Sequence, residues 1–236
     1  MAERTYVVGH VNPDTDSIAS AMGYAWLLRE RDGMDAIAAR AGATNPQTTW
    51  ILKKLGLDAP YLLTDASPRF EAVTRRLDTT TPDSPLRDGW GIASRTGGVA
   101  PVVNEDGTPY GLITGFSLFD YLGKLVGPHP NRQEMRISDI LDLACRDASD
   151  TDVPRFQASM RIRDMVNRIL REEHNDFLVV DEKGQYVGVT RQRDVLNPPR
   201  LRVILVDHNE PAQALGALDE AELIEILDHH RLGNHS

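Results

Sequence analysis

The sequence contains one cysteine, Cys145, among 236 residues. A single thiol excludes an internal disulfide framework and a zinc site built on cysteine pairs. No apolar run reaches the ~18–20 residues that a bilayer-spanning helix needs, so no membrane partner is expected. Basic residues are in deficit, 26 against 35 acidic, and the formal net charge is −9. That deficit argues against a nucleic-acid partner, because phosphate backbones are held by basic patches. The opening Met-Ala-Glu-Arg leads straight into a strand-like segment, so no signal peptide is expected. A soluble, cytoplasmic protein is the expectation. What the chain does have is 41% hydrophobic and 26% charged residues, the balance of a globular protein. Its length allows one or two domains with a core of useful size.

Residues 5–9 (TYVVG) read as a buried strand. A polar turn follows. Residues 17–29 then carry Ile18, Met22, Ala25 and Trp26 at helical spacing, with Asp16 or Ser17 as the N-cap. Residues 35–40 suggest a second strand. Residues 45–55 suggest a second helix, with Pro46 in its first turn and Gly56 just past its end. Residues 61–64 suggest a third strand. Strands alternating with helices predict a parallel α/β layer. Far downstream, residues 203–206 (VILV) read as another buried strand, and Asp219 with Glu222 suggests a capping box for a short helix. Periodicity leaves residues 224–227 open between a helix continuation and a final strand.

Between these two stretches lies an internal repeat. PVVNEDGTPYGLIT at 101–114 aligns without a gap with LVVDEKGQYVGVTR at 178–191, an offset of 77. Each copy reads as helix, hairpin, helix. In the second copy Ile162, Met165, Val166, Ile169 and Leu170 form an apolar helix face. Two units that cannot bury their own faces are expected to stack as a pair. The acidic-rich turns carry Gly107 and Gly184, and the plainer reading of Gly111 and Gly188 is that they only serve turns. Trp50 and Trp90 are expected in cores, and Cys145 is expected to be a small buried thiol. Residues 127–132, with Pro128 and Pro130, read as a turn-rich linker.

Three acidic and histidine-bearing clusters each follow a strand-like run: His10-Val11-Asn12-Pro13-Asp14-Thr15-Asp16-Ser17, Asp207-His208-Asn209 and Asp228-His229-His230. Taken singly, each has an ordinary reading as a helix cap or a surface loop. Together they point to one edge of a parallel sheet, since ligands bind outside the carboxyl ends of such strands. Carboxylate oxygens mixed with imidazole nitrogens suit manganese, zinc or iron rather than calcium. Several carboxylates close together repel unless cations lie between them. A two-metal centre of this kind can lower the pKa of a bridging water and clamp phosphoryl oxygens.

GHVNPDTDS, VDHNE and LDHHRLGN, in that order, resemble the motifs of the DHH phosphoesterase superfamily, and specifically of the family II, manganese-dependent inorganic pyrophosphatases. The repeat resembles a tandem CBS pair. The implied fold is α/β: a partial parallel-sheet DHH domain (residues 1–70 and 201–236) interrupted by a tandem CBS module (α+β repeats) at 71–200. The copies would lie at about 78–125 and 153–199. The resemblance implies two manganese ions, with cobalt or magnesium as alternatives. His10 and Asp14 would hold one ion, Asp16 and His229 the other, and Asp207 would bridge them. His230 would contact the substrate phosphate or the leaving oxygen, and Asn12 would position water or phosphate. His208 and Asp228 would hold the imidazoles in one tautomer. The implied reaction is in-line attack of a metal-bridging hydroxide on pyrophosphate, giving two orthophosphates. Members of the family continue past the third motif with a further aspartate ligand and a domain that brings Arg and Lys to the substrate. The 236-residue chain alone is therefore expected to hydrolyse pyrophosphate poorly.

The CBS resemblance implies adenine nucleotides, AMP, ADP or ATP, bound between the repeats as regulators. Its ribose and phosphate positions fall on Asp194 and Arg191 in the second copy and on Ser117 and Thr114 in the first, with Arg193 available to phosphate. The plainer reading of Asp194 is a helix cap. CBS pairs meet face to face, which implies a homodimer. Met165, Ile169, Leu118 and Leu122 are the interface candidates, set against simple packing within the chain. Two alternatives stay open: another DHH phosphoesterase, and a nucleotide-sensing module with a vestigial metal site.

Overall fold

A computed structural model describes residues 4–126 and 135–231, so the linker expected at 127–132 lies outside the described residues. The chain separates into two compact units, one of Met1–Pro68 with Pro199–Ser236 and one of Arg69–Pro198.

In the first unit, β1 (Thr5–Val8) leads through the polar turn into α1 (Thr15–Asp32). The helix begins earlier than the sequence suggests. Asp14, not Asp16 or Ser17, is the cap, and its carboxylate accepts the Ser17 N–H at 2.9 Å. Asp16 falls in the first turn, where its charge complements the helix dipole. Ala21 and Ala25 bring the helix close to the sheet, while Trp26 turns outward at the rim of the apolar stripe. β2 (Ala36–Arg40) follows, then α2 (Pro46–Leu55) and β3 (Tyr61–Leu62). Asn45 caps α2, and Gly56 ends it at φ 67°. Trp50 is 60% exposed, against the core placement expected from its size. α2 buries Thr48 and Leu52, and a residue midway between them must face the other way. Lys54 instead covers the Trp50 ring, 4.8 Å from its centroid.

The second unit runs α3 (Phe70–Val73), α4 (Leu86–Thr96), β4 (Val99–Val103), β5 (Pro109–Thr114) and α5 (Gly115–Val126). It continues with α6 (Ile137–Leu141), β6 (Arg155–Gln157), α7 (Ile162–Ile169), β7 (Asp176–Val180), β8 (Tyr186–Arg191) and α8 (Gln192–Leu196). Both hairpins are antiparallel with matching register, Pro101 opposite Leu112 and Leu178 opposite Val189. Each repeat borrows residues from the segment preceding the other copy. Phe70 and Val73 complete the core of the second repeat, and Ile140, Cys145 and Ala148 complete that of the first. Val99, Leu112, Val153, Leu178 and Val189 form a core shared by both. Trp90, expected in a core, is 52% exposed, because α4 turns Leu86, Gly89 and Ile92 inward instead. Met165, Ile169, Leu118 and Leu122 pack within their own repeats; Phe116 and Phe119 are the large side chains that α5 exposes.

Gly111 and Gly188 are not turn residues. They lie inside β5 and β8, where an added Cβ would come within 2.4 Å of the Asp150 carbonyl oxygen and 2.5 Å of the Arg75 carbonyl oxygen. The hairpin turns use Gly107 and Gly184, at φ 83° and 79°.

The chain then returns to the first unit with β9 (Arg202–Val206) and β10 (Glu222–Leu227). The capping box at Asp219 and Glu222 does not form. Asp219 lies in a single 3-10 turn, and Glu222 opens β10, which pairs in parallel with β9. The five strands are all parallel in the order β10-β9-β1-β2-β3. Val7, Ile204 and Val206 face α1, while Val8, Val203 and Leu205 pack on the opposite side. The chain leaves β1 for β2 on one side and later returns to place β9 on the other. The crevice between β1 and β9 at their carboxyl ends is therefore the switch point of the sheet.

Candidate metal centre

Three strand ends feed this crevice. β1 delivers His10, β9 delivers Asp207, and β10 delivers Asp228 with His229 and His230. The turn between β1 and α1 adds Asp14, and the first turn of α1 adds Asp16. This turn is tightly held. The Val11 N–H donates to the Gln213 carbonyl at 2.8 Å, and Gly9 lies so close to α1 that a Cβ there would overlap Ser17 Oγ. Gly42 gives similar room, since its Cβ would meet the Val11 carbonyl oxygen at 2.0 Å.

Asp207 is the centre of the arrangement. Its side chain is 5% exposed, and its backbone is left-handed at φ 61°, a region that Asp tolerates better than most residues. Its two carboxylate oxygens face different partners. Oδ2 lies 3.5 Å from His10 Nε2, and Oδ1 lies 3.5 Å from His229 Nε2. His10 Nε2 is also 3.9 Å from Asp14 Oδ1, and His229 Nε2 is 3.9 Å from Asp16 Oδ2. Donor atoms of His10, Asp14 and Asp207 converge within 4.8 Å of one another, and so do those of Asp207, His229 and His230. The two groups share Asp207.

Burial pushes the Asp207 carboxyl above its ordinary range, and the nearby Asp16 and Asp14 push it further. A cation between these carboxylates would remove that penalty. The donor set, hard oxygens with imidazole nitrogens, fits Mn, Co or Zn.

The neighbouring groups fix the imidazoles. His230 Nδ1 lies 2.7 Å from Asp228 Oδ1, which also accepts the His230 backbone N–H at 3.2 Å. That hydrogen bond raises the His230 pKa. Burial pushes Asp228 up, but the hydrogen bonds from His230 and Asn209 outweigh it and leave the carboxylate below its usual range. His208 is buried, and burial lowers its pKa. As the neutral ring it donates from Nδ1 to the Val206 carbonyl at 2.9 Å, so Nε2 is the bare nitrogen. Asn209, which the sequence reading left without a role, donates from Nδ2 to Asp228 and to the Arg231 carbonyl. Its one sequence signal was adjacency to His208. Asn12 is exposed in the turn between His10 and Asp14. A cavity of about 440 Å³ opens over the site, lined by His10, Asp207, His208, Asn209, Glu210, Gln213, Asp228, His230 and Arg231.

The nucleotide-site candidates lie in the other unit. Thr114 and Ser117 are paired at the start of α5. Ser117 Oγ accepts the Thr114 N–H at 2.9 Å, and Thr114 Oγ1 accepts the Ser117 N–H at 3.1 Å. Thr114 lines a cavity of about 430 Å³ between the repeats, with Gly97, Gly98, Val99, Phe116, Asp150, Val153 and residues 173–176. Arg191 is held by Asp176 and by carbonyls at the end of α4. Asp194 and Arg193 pair with each other at 3.4 Å.

The family model described as "DHH family, N-terminal domain" matches residues 4–236. A probable manganese-dependent inorganic pyrophosphatase of Thermotoga maritima is 24% identical over 337 aligned positions, covering 98% of this chain and 61% of that protein. A cobalt-dependent inorganic pyrophosphatase of Clostridium perfringens is 21% identical, covering 99% of this chain and 62% of that protein. The chain thus spans just over three-fifths of the length of these relatives. Among solved structures, a CBS domain-containing protein of unknown function from Bacillus anthracis is similar at TM-score 0.45 and 14% identity, covering 55% of this chain and 90% of that one.

Proposed function

This chain belongs to the DHH family, and from that premise we propose that it forms the metal-binding part of a cytoplasmic inorganic pyrophosphatase. The observation that carries the reading is the position of Asp207, whose two oxygens each face a separate set of donors. His10 and Asp14 would hold one ion, and Asp16 and His229 the other, with Asp207 between them. Manganese is the proposed native metal, with cobalt or magnesium as substitutes. Such ions supply Lewis-acid polarisation of phosphoryl oxygens and acidification of water.

The side chains supply the rest. Asp228 anchors Nδ1 of His230, which leaves Nε2 as the nitrogen that can exchange a proton with a phosphate oxygen. Asn12, exposed at the same turn, would position water or substrate. His208 and Asn209 hold the floor of the cavity rigid. Arg231 is the single basic side chain other than histidine among the residues lining the cavity. A tetra-anionic substrate needs more positive charge than this. The 236-residue chain alone is accordingly expected to turn over pyrophosphate slowly.

The cavity beside Thr114 and Ser117 supports a second role, binding of an adenine nucleotide that regulates the metal site. Exposed Phe116 and Phe119 on α5 support docking of the repeat pairs as a homodimer. No helix among the described residues is long and apolar enough to cross a membrane, and neither a membrane nor a nucleic acid is a proposed partner.

Phosphate release from pyrophosphate, measured with the purified chain and manganese, tests the reading. The expected result is stoichiometric metal uptake with weak, metal-dependent release. Failure of a folded chain to take up metal would overturn the assignment and favour a nucleotide sensor with a vestigial site. Preferential hydrolysis of a nucleotide phosphodiester would favour another DHH phosphoesterase.

A further inference from the structure

The two repeats end their hairpins differently. Thr114 closes β5, and at the matching position 77 residues on, Arg191 closes β8. On the Thr114 side the space between the repeats is open, a cavity of about 430 Å³. The Arg191 side chain instead reaches across to the other repeat. Its Nη2 donates to the Gly97 carbonyl at 2.9 Å and to the Thr96 carbonyl at 3.3 Å, and its Nε donates to Asp176 Oδ1 at 3.2 Å. The contact is close: a Cβ on Gly97, already left-handed at φ 81°, would lie 2.8 Å from Nη2.

We propose that the repeat pair holds one adenine nucleotide per chain, in the Thr114 cleft, because the Arg191 guanidinium fills the equivalent cleft of the second repeat. The inference rests on the nucleotide reading above and goes beyond it in assigning the cleft and the stoichiometry. The physical reason lies in what displacement would require. The Thr96 and Gly97 carbonyls end α4, where the helix dipole is negative and a cation is favoured. Asp176 is largely buried, and a ligand that displaced Arg191 would leave it with Arg75, 3.9 Å away, as its remaining cation contact among the described residues. An arginine fork bound at three points is a strut that a phosphate group must break before it can bind. Asp194, by position the better ribose ligand of the two copies, is paired with Arg193 at 3.4 Å.

Calorimetric titration of the full chain with AMP tests the proposal. The wild type is expected to bind one AMP per chain. Asp194→Ala is expected to keep that affinity within twofold, and Thr114→Val to weaken it at least tenfold. Arg191→Thr, shown by circular dichroism to be folded, is expected to bind a second AMP. If Thr114→Val proves unfolded, Phe116→Ala at the mouth of the same cleft serves in its place. Two AMP molecules on the wild type, a tenfold loss in Asp194→Ala, or a folded Arg191→Thr that still binds one would each overturn the cleft assignment while leaving nucleotide binding intact. Absence of AMP binding by both wild type and Arg191→Thr would refute the nucleotide reading, and the assignment with it.

Discussion

Replacing Asp207 with asparagine is the most informative single change to the metal centre. The substitution keeps the shape and suits the left-handed backbone at φ 61°. It removes the charge common to both donor groups. An ion present at a hundred times its dissociation constant stabilises the fold by about 2.7 kcal/mol, so two such ions contribute roughly 5 kcal/mol. For a chain of this size each kcal/mol moves the melting temperature by about 2–4 °C. Manganese should therefore raise the wild-type Tm by roughly 10–20 °C, and Asp207→Asn should abolish nearly all of that rise. Asp14→Ala, which touches one group only, should retain about half. Without metal the direction reverses. Burial and the neighbouring carboxylates disfavour ionised Asp207, so the metal-free variant should melt above the metal-free wild type. Differential scanning calorimetry with and without manganese, alongside metal analysis of the eluted protein, reads both effects. If Asp207→Asn keeps one full equivalent of metal, the carboxylate serves a single ion and the bridging assignment is wrong.

Phe156 stacks on Phe70 at 4.7 Å and meets Phe177 edge-on at 5.5 Å, so Phe156→Ala should cost about 3–5 kcal/mol of stability in a denaturant melt of the repeat unit. A loss below about 1 kcal/mol would show that this cluster is not the core of that repeat. Gly188→Ala should cost roughly 1–3 kcal/mol, because its Cβ would meet the Arg75 carbonyl oxygen and Thr74 Cγ2, each at 2.5 Å, and the Arg75 backbone cannot give way cheaply. The same substitution at Gly91, whose Cβ would meet nothing nearer than Arg95 Nη1 at 3.8 Å, serves as the control and should be tolerated. The Tyr186 hydroxyl is pushed up to about 12 by burial. The unfolded chain ionises this phenol near its ordinary value, so its contribution to stability is complete below about pH 10 and is lost as pH rises toward 12. Tyr24 and Tyr121 are raised as well, by the Glu225 hydrogen bond and by burial, so absorbance titration at the phenolate band should show Tyr186 as the last component, missing in Tyr186→Phe; an unchanged last component there would refute the assignment.

Much of this was legible in the sequence because it depends on short-range chemistry. The Asn45 cap, Pro46 and Gly56 mark both ends of α2, since capping and left-handed glycine are local constraints. The repeat at 101–114 and 178–191 reads as two hairpins because strand, turn glycine and strand recur in register. The metal-ligand candidates were visible as polar clusters after apolar runs. Errors arose where side-chain size or a local pattern was made to stand for tertiary environment. Trp50 and Trp90 are large, yet their helices turn other residues inward. Asp219 and Glu222 have capping-box spacing, yet parallel pairing with β9 draws Glu222 into β10. Gly107 and Gly184 were legible as the turn glycines, but the plain reading of Gly111 and Gly188 as turn residues gives way once the backbone that crosses them is in place.

The sequence by itself determined the residue types and their order: three donor clusters, each after a strand, and a duplicated unit between the first and second. It could not state which oxygen faces which histidine, because His10 and Asp207 stand about two hundred positions apart and meet only when β9 lies beside β1, while His229 is brought in by the pairing of β10 with β9. The parallel sheet decided that Asp207 stands between the two donor groups, since its strand is the neighbour of both β1 and β10. Likewise the sequence showed threonine in one repeat where the other has arginine. Only the packing of the repeats decided that this arginine spans the gap between them, because its partners are backbone carbonyls and no pattern of side chains announces a carbonyl.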